Sequence, residues 1–545
     1  MTSLRLAALA LVLALAVRPL AAQVGAQSHG DLAAADPAWL TAWSPLARIA
    51  DLPRALPAAA VLPGLLAVPA PRVGLLWTAG TPAALALEAT DVQARLVIAH
   101  GDAGGDYRRP LDANAARAVR FEGWGWGPLG HRGAVVGRVT VGQLDLDAAS
   151  PSDIAAPYGS DPFVATDMTV PALRRVAARL EGGIGGRFGA WAAGLTVGAR
   201  VEDDHTLNSS FPRLVKRAVP GVAVGVSRAL PFAAVRLAVY ARWMGGDETI
   251  ILPGQPAPGT VYVLGGYSEP DPKAVTPSSL FFYRTDRSAW ADGLAATGTL
   301  AGAQWTLYRE RASRTDKHVS ARRLDAPTDR WRATGSAYGL AAQRAVPRYD
   351  LLLTAGWRYE RLHGDATRAD LTGIIFGATE DVWSATGEVR YAPAASPWIG
   401  AATFSLVREN RRREDFIAET RSELKTWTPG VGVEVARVFG ANAVAAGYAA
   451  AFYAPSGGIP DPSTMGPIYQ QLVASEQSLY ATRAQPSLAT VTLRHTFASG
   501  TAVLLRARRE SVSAAGDALA TGTLPFAPQG SRTLWDVSLG VVMGQ

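Results

Sequence analysis

The sequence predicts an all-β fold, a transmembrane antiparallel β-barrel of about 18 strands, the count admitting roughly 14 to 20. Three observations predict it. Long segments alternate apolar and polar residues with a period of two, the links between them alternate between short and long, and an export signal stands at the amino terminus with no later apolar run long enough for a membrane helix.

The alternation comes first because it is repeated most often. In 189–202, Trp191, Ala193, Leu195, Val197, Ala199 and Val201 share one face, while Thr196, Gly198, Arg200 and Glu202 take the other. Val235, Leu237, Val239, Ala241 and Trp243 oppose Arg236, Tyr240 and Arg242; Leu351, Leu353, Ala355 and Trp357 oppose Asp350, Thr354 and Arg358. Val176, Ala178, Leu180 and Ile184 stand against Arg175, Arg179, Glu181 and Arg187. A period of two puts successive side chains on opposite faces of a strand. Such segments run to about ten residues or more, matching the nine to eleven that a tilted strand needs to cross a bilayer and exceeding an average globular strand.

The links give an independent signal. Tight turns are expected near 130–133, 186–190, 228–231, 301–303, 342–348, 393–397, 439–442 and 498–500. Long polar links are expected over roughly 102–117, 146–172, 203–213, 246–280, 314–328, 362–381, 410–424, 454–487 and 512–530. Short turns on one side and long loops on the other are the pattern of an outer-membrane barrel, periplasmic and extracellular respectively, and an even strand count leaves both ends in the periplasm. Thr260 to Tyr267 and Leu280 to Tyr283 also read as extended, suited to a hairpin above the membrane. The last strand alternates Trp535, Val537, Leu539, Val541 and Met543 with Asp536, Ser538 and Gly540, and resembles the terminal signal read by the barrel-assembly machinery, although it ends in Gln545 rather than an aromatic.

Residues 1–22 read as a signal peptide: Arg5, an apolar run from Leu6 to Val17, then small residues, with cleavage after Ala22 or Ala26. Residues 23–90 carry repeated prolines and form either a hatch folded into the lumen or a periplasmic lead-in; both readings stand. The barrel occupies 91–545. Composition agrees, with 48% hydrophobic and 18% charged residues, 55 Gly, and 15 Trp and 15 Tyr suited to membrane boundaries. The absence of Cys excludes disulfides, thiolate metal sites and lipoprotein acylation. The net charge of +7 is scattered rather than gathered into a stripe, so no nucleic-acid partner is indicated.

Little nominates chemistry. The seven histidines form no HxxxH or HExxH ligand pair, and no metal, cofactor or catalytic group is expected. His495 follows Val491 and Leu493 on an apolar register, where a barrel hydrolase would need a serine beside it, and none is near. Acidic groups at Glu202-Asp203-Asp204, Glu269 with Asp271, and Glu380-Asp381 read as solvated loop charge rather than Ca²⁺ ligands. The arginines are more informative. Arg138, Arg175, Arg179, Arg200, Arg236, Arg242, Arg358, Arg390 and Arg494, with Arg187, Arg332 and Arg506, fall on polar registers and are expected to line the lumen. There they favour anions, brace the wall by pairing with Glu122, Glu181, Glu202, Glu360, Glu388 and Glu434, or do both.

Two stretches resemble known families. Gly80-Thr81-Pro82-Ala83-Ala84-Leu85-Ala86 resembles the Asn-Pro-Ala-Gly-Leu entry motif of FadL-type barrels, with Thr81 in place of the Asn. That likeness implies a carrier of hydrophobic compounds with an N-terminal hatch. Gly105-Asp106-Tyr107-Arg108-Arg109-Pro110, followed by Phe121 and Gly123-Trp124-Gly125-Trp126, resembles an uncharacterised outer-membrane barrel family known as domain of unknown function 6850, which implies fold and location but no substrate. The expected role is a porin-like channel or solute transporter; the alternatives are a carrier of hydrophobic compounds and a surface scaffold or secretion partner. The expected partners are outer-membrane lipid and lipopolysaccharide, the assembly machinery and small solutes.

Overall fold

The computed structural model describes residues 62, 65–66, 92–108, 113–147, 161–166, 172–207, 214–231, 234–252, 259–265, 271–275, 281–319, 328–371, 373–459, 475–518 and 529–543. Residues 1–22, expected to be a signal peptide, nearly all of 23–90, the stretch Gly80 to Ala86, and Arg109 and Pro110 lie outside them.

The wall comprises β1 (Gln93–Gly105), β2 (Ala115–Leu129), β3 (Gly133–Asp147), β5 (Ala172–Phe188), β6 (Trp191–Leu207), β7 (Leu214–Ala229) and β8 (Val235–Leu252). It continues through β11 (Phe281–Leu300), β12 (Ala303–Val319), β13 (Asp329–Val346), β14 (Leu351–Thr367), β15 (Ile374–Tyr391), β16 (Trp398–Asp415) and β17 (Thr420–Phe439). The last wall strands are β18 (Asn442–Ala451), β19 (Ala454–Gly458), β20 (Thr482–Thr496), β21 (Ala502–Ala518) and β22 (Ser531–Met543). A separate three-stranded sheet is made by β4 (Phe163–Thr166), β9 (Gly259–Gly265) and β10 (Asp271–Val275). The large sheet has 19 segments, but β18 and β19 succeed one another along the same partner, β17, so the wall is crossed 18 times. Every neighbour pair is antiparallel, and β1 pairs with both β2 and β22. That closure removes the free edges whose N–H and C=O groups would otherwise be stranded in lipid.

Outward positions carry exposed apolar side chains: Val119 and Phe121 on β2, Leu195 and Val197 on β6, Val431, Val433 and Val435 on β17, Val537 and Leu539 on β22. Burying such residues in an aqueous protein would be the rule; exposing one on nearly every strand is stable only when the surrounding medium is itself apolar. Their neighbours one residue away face the lumen.

All eight expected tight turns form at one end of the barrel. Ala301 and Gly302 make a two-residue turn with φ of 50° and 77°, the positive values that let a hairpin follow the twist of its strands. At the opposite end the strands run further than the alternation of apolar residues indicates. Apart from β18 and β19, which share one crossing with 10 and 5 residues, the wall strands extend from 13 residues in β1 to 20 in β11 and β17. The long link expected over 410–424 shrinks to residues 416–419, because Arg411 to Asp415 continue the ladder opposite Thr420 to Leu424. Polarity in these segments marks strands rising above the apolar belt, where both faces meet water or ion pairs. A second correction concerns the hairpin expected from 260–267 and 280–283. Gly259–Gly265 pairs instead with Asp271–Val275 on one side and Phe163–Thr166 on the other, while Phe281 onward belongs to the wall strand β11.

Candidate functional site: the lumen wall and the segments folded into it

The inward face is a lattice of ion pairs, some between residues two apart on one strand and others reaching from strand to strand. Arg138 reaches Glu122 at 3.0 Å and Arg179 reaches Glu181 at 2.6 Å. Arg200 pairs with Glu202, Arg242 with Glu310, Arg358 with Glu360, and Arg390 stands 3.5 Å from Glu388. Tyr240 donates its hydroxyl hydrogen to Glu310 at 2.8 Å. The densest knot lies toward the long-loop end. Arg175 donates twice to Asp204, at 2.8 Å each, and Arg217 contacts Asp204 at 2.8 Å, Glu248 at 2.8 Å and Glu202 at 3.4 Å. Burial alone would raise the Asp204 carboxyl, but the Arg175 and Arg217 guanidiniums override it and hold the group well below the usual carboxylate range.

The nine arginines proposed for the lumen all occupy inward registers, opposite the exposed apolar residues of their strands. Arg236 donates to the Ser227 hydroxyl at 3.3 Å and the Ala190 carbonyl at 3.4 Å. Arg494, on β20, and Arg506, on β21, face inward on adjacent rungs, and among the described residues neither has a carboxylate at salt-bridge distance. Arg332 is a correction: it is exposed and shares the outward face of β13 with Leu340. At the start of β13 the alternation is inverted: Arg330, Arg332 and Thr334 are exposed outward while Trp331 and Ala333 are buried inward in the cluster with Phe163, so assigning polar residues to the lumen misplaces Arg332. Glu202 and Asp204 are likewise not loop charge. They are buried wall residues of β6 neutralised by arginines. Glu269 lies outside the described residues.

The sheet of β4, β9 and β10 folds inward. Phe163 is buried against inward residues of the wall, in one cluster with Ala289, Trp331, Leu362, Ile375 and Phe376. Ala165 and Val261 pack with Val215, Ile250 and Tyr283. The sheet therefore covers the inner surface of β7, β8 and β11 to β15 near the long-loop end. A polar latch holds it. His318 Nε2 lies 3.1 Å from Asp161 Oδ2, and His318 Nδ1 lies 3.2 Å from the Tyr283 hydroxyl and 3.1 Å from the Thr285 hydroxyl. With Nε2 donating to the carboxylate, Nδ1 is left to accept from a hydroxyl. Asp316 is fully buried between Arg287 and Arg314. Asp161, Asp316 and His318 offer atoms within 4.8 Å of one another, a spacing that a cation could use. The two guanidiniums already balance the two carboxylates, so the cluster reads as a charge-neutral latch.

Two further pieces narrow the lumen. Leu62, Leu65 and Leu66 lie on a smooth inner surface of Ala401, Ala436, Ala443, Ala445, Ala449 and Ala451, and the Leu65 N–H donates to Glu434 at 2.9 Å. Helix α1 (Ser475–Tyr480) packs with Tyr107, Tyr453, Ala484 and Val512; Asp106 and Arg108 flank this buried tyrosine. Arg411 lies over the Tyr480 ring at 4.4 Å and pairs with Glu409, with Glu380 at 3.6 Å. Burial, and then the neighbouring Glu409 carboxylate, push Glu380 up to about 7 against the opposing pull of Arg411.

Behind α1 the wall itself is irregular. The β18–β20 ladder runs to Ala450 and Ser487, resumes only at a Tyr453–Ala484 bridge, and spans Pro486, which has no N–H to give. A cavity of about 450 Å³ opens there, lined by Tyr448, Phe452, Pro486, Ser487 and Ser511 among others. His495, near the other end of β20, has Asn442 at 2.8 Å and an edge-on contact with Phe497 as its partners.

No family model and no curated protein sequence matches the chain. Solved structures are similar at low identity. The FrpB iron transporter of Neisseria meningitidis aligns at a TM-score of 0.40 and 11% identity, over 84% of this chain and 81% of that one. BauA, the ferric preacinetobactin receptor of Acinetobacter baumannii, aligns at 0.37 and 11%, over 83% and 80%. OccAB3 of Acinetobacter baumannii aligns at 0.34 and 12%, over 83% and all of its chain, 100%. At these TM-scores the barrel rests on its own strand pairing, and no substrate is carried over.

Proposed function

We propose that the chain is a bacterial outer-membrane channel or transporter for small solutes, with a lumen that favours anions and is held narrow at rest. The observation that carries this reading is a closed barrel of 18 crossings with an arginine-lined inner face and chain segments packed inside it. A barrel of this width leaves an aqueous passage unless something fills it. Many inward guanidiniums spend their charge on bracing carboxylates, which leaves Arg236, Arg494 and Arg506 as candidate sources of anion preference. The inward sheet of β4, β9 and β10, and the segment around Leu62 to Leu66, are the elements that would have to move or be removed for full opening.

Planar-bilayer conductance tests this. Full-length protein is expected to give small or rare openings, and deletion of residues 23–90 to give larger, steady, anion-preferring steps. Arg494→Gln with Arg506→Gln should then shift the reversal potential in a salt gradient toward cations. Silence in all of these forms would leave the scaffold or secretion-partner reading ahead. A second reading, carriage of a hydrophobic compound, draws on the interrupted β18–β20 seam and its cavity. It predicts that a long-chain amphiphile protects the seam from amide hydrogen exchange.

A further inference from the structure

The outward face of β12 to β17 changes character over three successive rungs. The lowest is apolar: Leu307, Leu340, Trp357, Ala385, Leu406 and Pro429 stand side by side. The next reads Arg309, Tyr338, Tyr359, Trp383, Arg408 and Trp427. The third is polar, with Arg311, Ser336, Arg361, Asp381, Asn410 and Lys425. An aromatic row between an apolar and a polar row marks the level where acyl chains meet headgroups. Here two of its six places are arginines. Arg309 lies over the Tyr338 ring at 5.6 Å, Tyr338 stacks on Tyr359 at 6.4 Å, and Arg408 lies over Trp427 at 5.2 Å.

An arginine on the lipid face is costly toward the membrane middle and tolerated near a headgroup phosphate. Arg309 and Arg311 are exposed, and among the described residues neither has a carboxylate at salt-bridge distance. Asp292 is the register partner of Arg311 on β11, and Asp381 is shared by the Tyr359 hydroxyl at 2.9 Å and Arg361 at 3.7 Å. Those two acids offset part of the charge but leave Arg309 without a counter-ion. Successive same-face residues on a strand are about 6.6 Å apart and neighbouring strands about 4.8 Å, so Arg309, Arg311 and Arg361 lie within reach of one multiply charged headgroup.

We propose that this patch is a docking site for a phosphate-bearing acylated lipid of the leaflet on the long-loop side. The phosphates bind Arg309, Arg311 and Arg361, the aromatic row flanks the headgroup, and the acyl chains lie on Leu307, Leu340 and Trp357. Arginine suits the task because its planar fork donates twice to one phosphate.

The test uses full-length protein, stripped of lipid in non-ionic detergent and offered a bisphosphorylated acylated disaccharide lipid, its dephosphorylated form, phosphatidylcholine, or inorganic phosphate. Native mass spectrometry reads what is retained. Wild type should keep the bisphosphorylated lipid in preference to the other three, and Arg309→Gln with Arg311→Gln should keep about tenfold less. Arg437→Gln, whose side chain lies over Trp398 at 5.2 Å at the short-turn end, should keep as much as wild type. Should the double variant not fold, Arg311→Gln alone carries the comparison, since that side chain is exposed. Equal retention by the arginine variant and wild type overturns the proposal. So does equal retention of the dephosphorylated lipid, which would credit the apolar belt alone, and so does displacement of the lipid by an equal concentration of inorganic phosphate.

Discussion

The two halves of the barrel wall are built from the same strands but solve different problems. Toward the short turns, the strands show lipid apolar side chains and the lumen mostly small or braced ones, and two- to six-residue turns close the ladder. Toward the long loops, the outward face turns polar, strands rise past the belt, and stability passes to buried ion pairs and to chain folded back onto apolar inward residues such as Val215, Ile250 and Trp331. Hydrophobic exposure holds one half in its medium. Desolvated charge holds the other, and there a missing partner is far more damaging than a missing pair.

The strongest way to break that contrast is in the upper half. Asp316→Ala strands Arg287 and Arg314 without their shared carboxylate, and is expected to cost about 3–5 kcal/mol in urea-induced unfolding from lipid vesicles. It should also weaken the inward sheet, read as faster proteolysis within 259–275. An unchanged midpoint would mean that the latch is solvated and adds little. The lower half should answer to a different change. Val433 is 57% exposed midway along the outward face of β17, and Val433→Arg is expected to cost about 2–4 kcal/mol in the same assay. By contrast, Arg421→Ala, at an exposed residue above the belt paired with Glu423, should cost no more than about 1 kcal/mol in the same assay.

A different kind of change sharpens the comparison through pH. Glu380 sits above the outward Trp383 girdle, and its carboxyl is raised from an ordinary 4.5 to about 7. The folded site thus prefers the protonated acid. Its contribution is fully present below about 4.5 and is lost as pH rises through about 7, so the barrel should lose stability between those values. Glu380→Gln should flatten that part of the curve, measured by heat-modifiable gel mobility from pH 4 to 8. A slope that survives the substitution would assign it to other groups.

Much of this was legible from the chain because alternation is local. Leu195 and Arg200 announce opposite faces within six residues, and Ala301-Gly302 announces a reversal without reference to anything distant. The arginine registers were legible for the same reason, since a strand already read as amphipathic assigns its polar face to the lumen. Arg332 escaped because above the belt the sign of the alternation reverses, with Trp331 and Ala333 turned inward against Phe163 and the arginines turned outward. The long links were overestimated because Arg411 to Asp415 are polar on both faces and look like loop until their partners on β17 are known.

What the sequence determined by itself is therefore the barrel: amphipathic period, strand length and turn chemistry, each set within a dozen residues. Only the tertiary structure decided which charges meet and what lies inside. Asp161 meets His318 across 157 residues, and Leu65 meets Glu434 across 369. Nothing in a local pattern encodes such distances. They follow from barrel closure, which sets the register of every strand against the next, and from the need of apolar loop residues such as Phe163 and Val261 to find a dry surface, which the inner wall supplies.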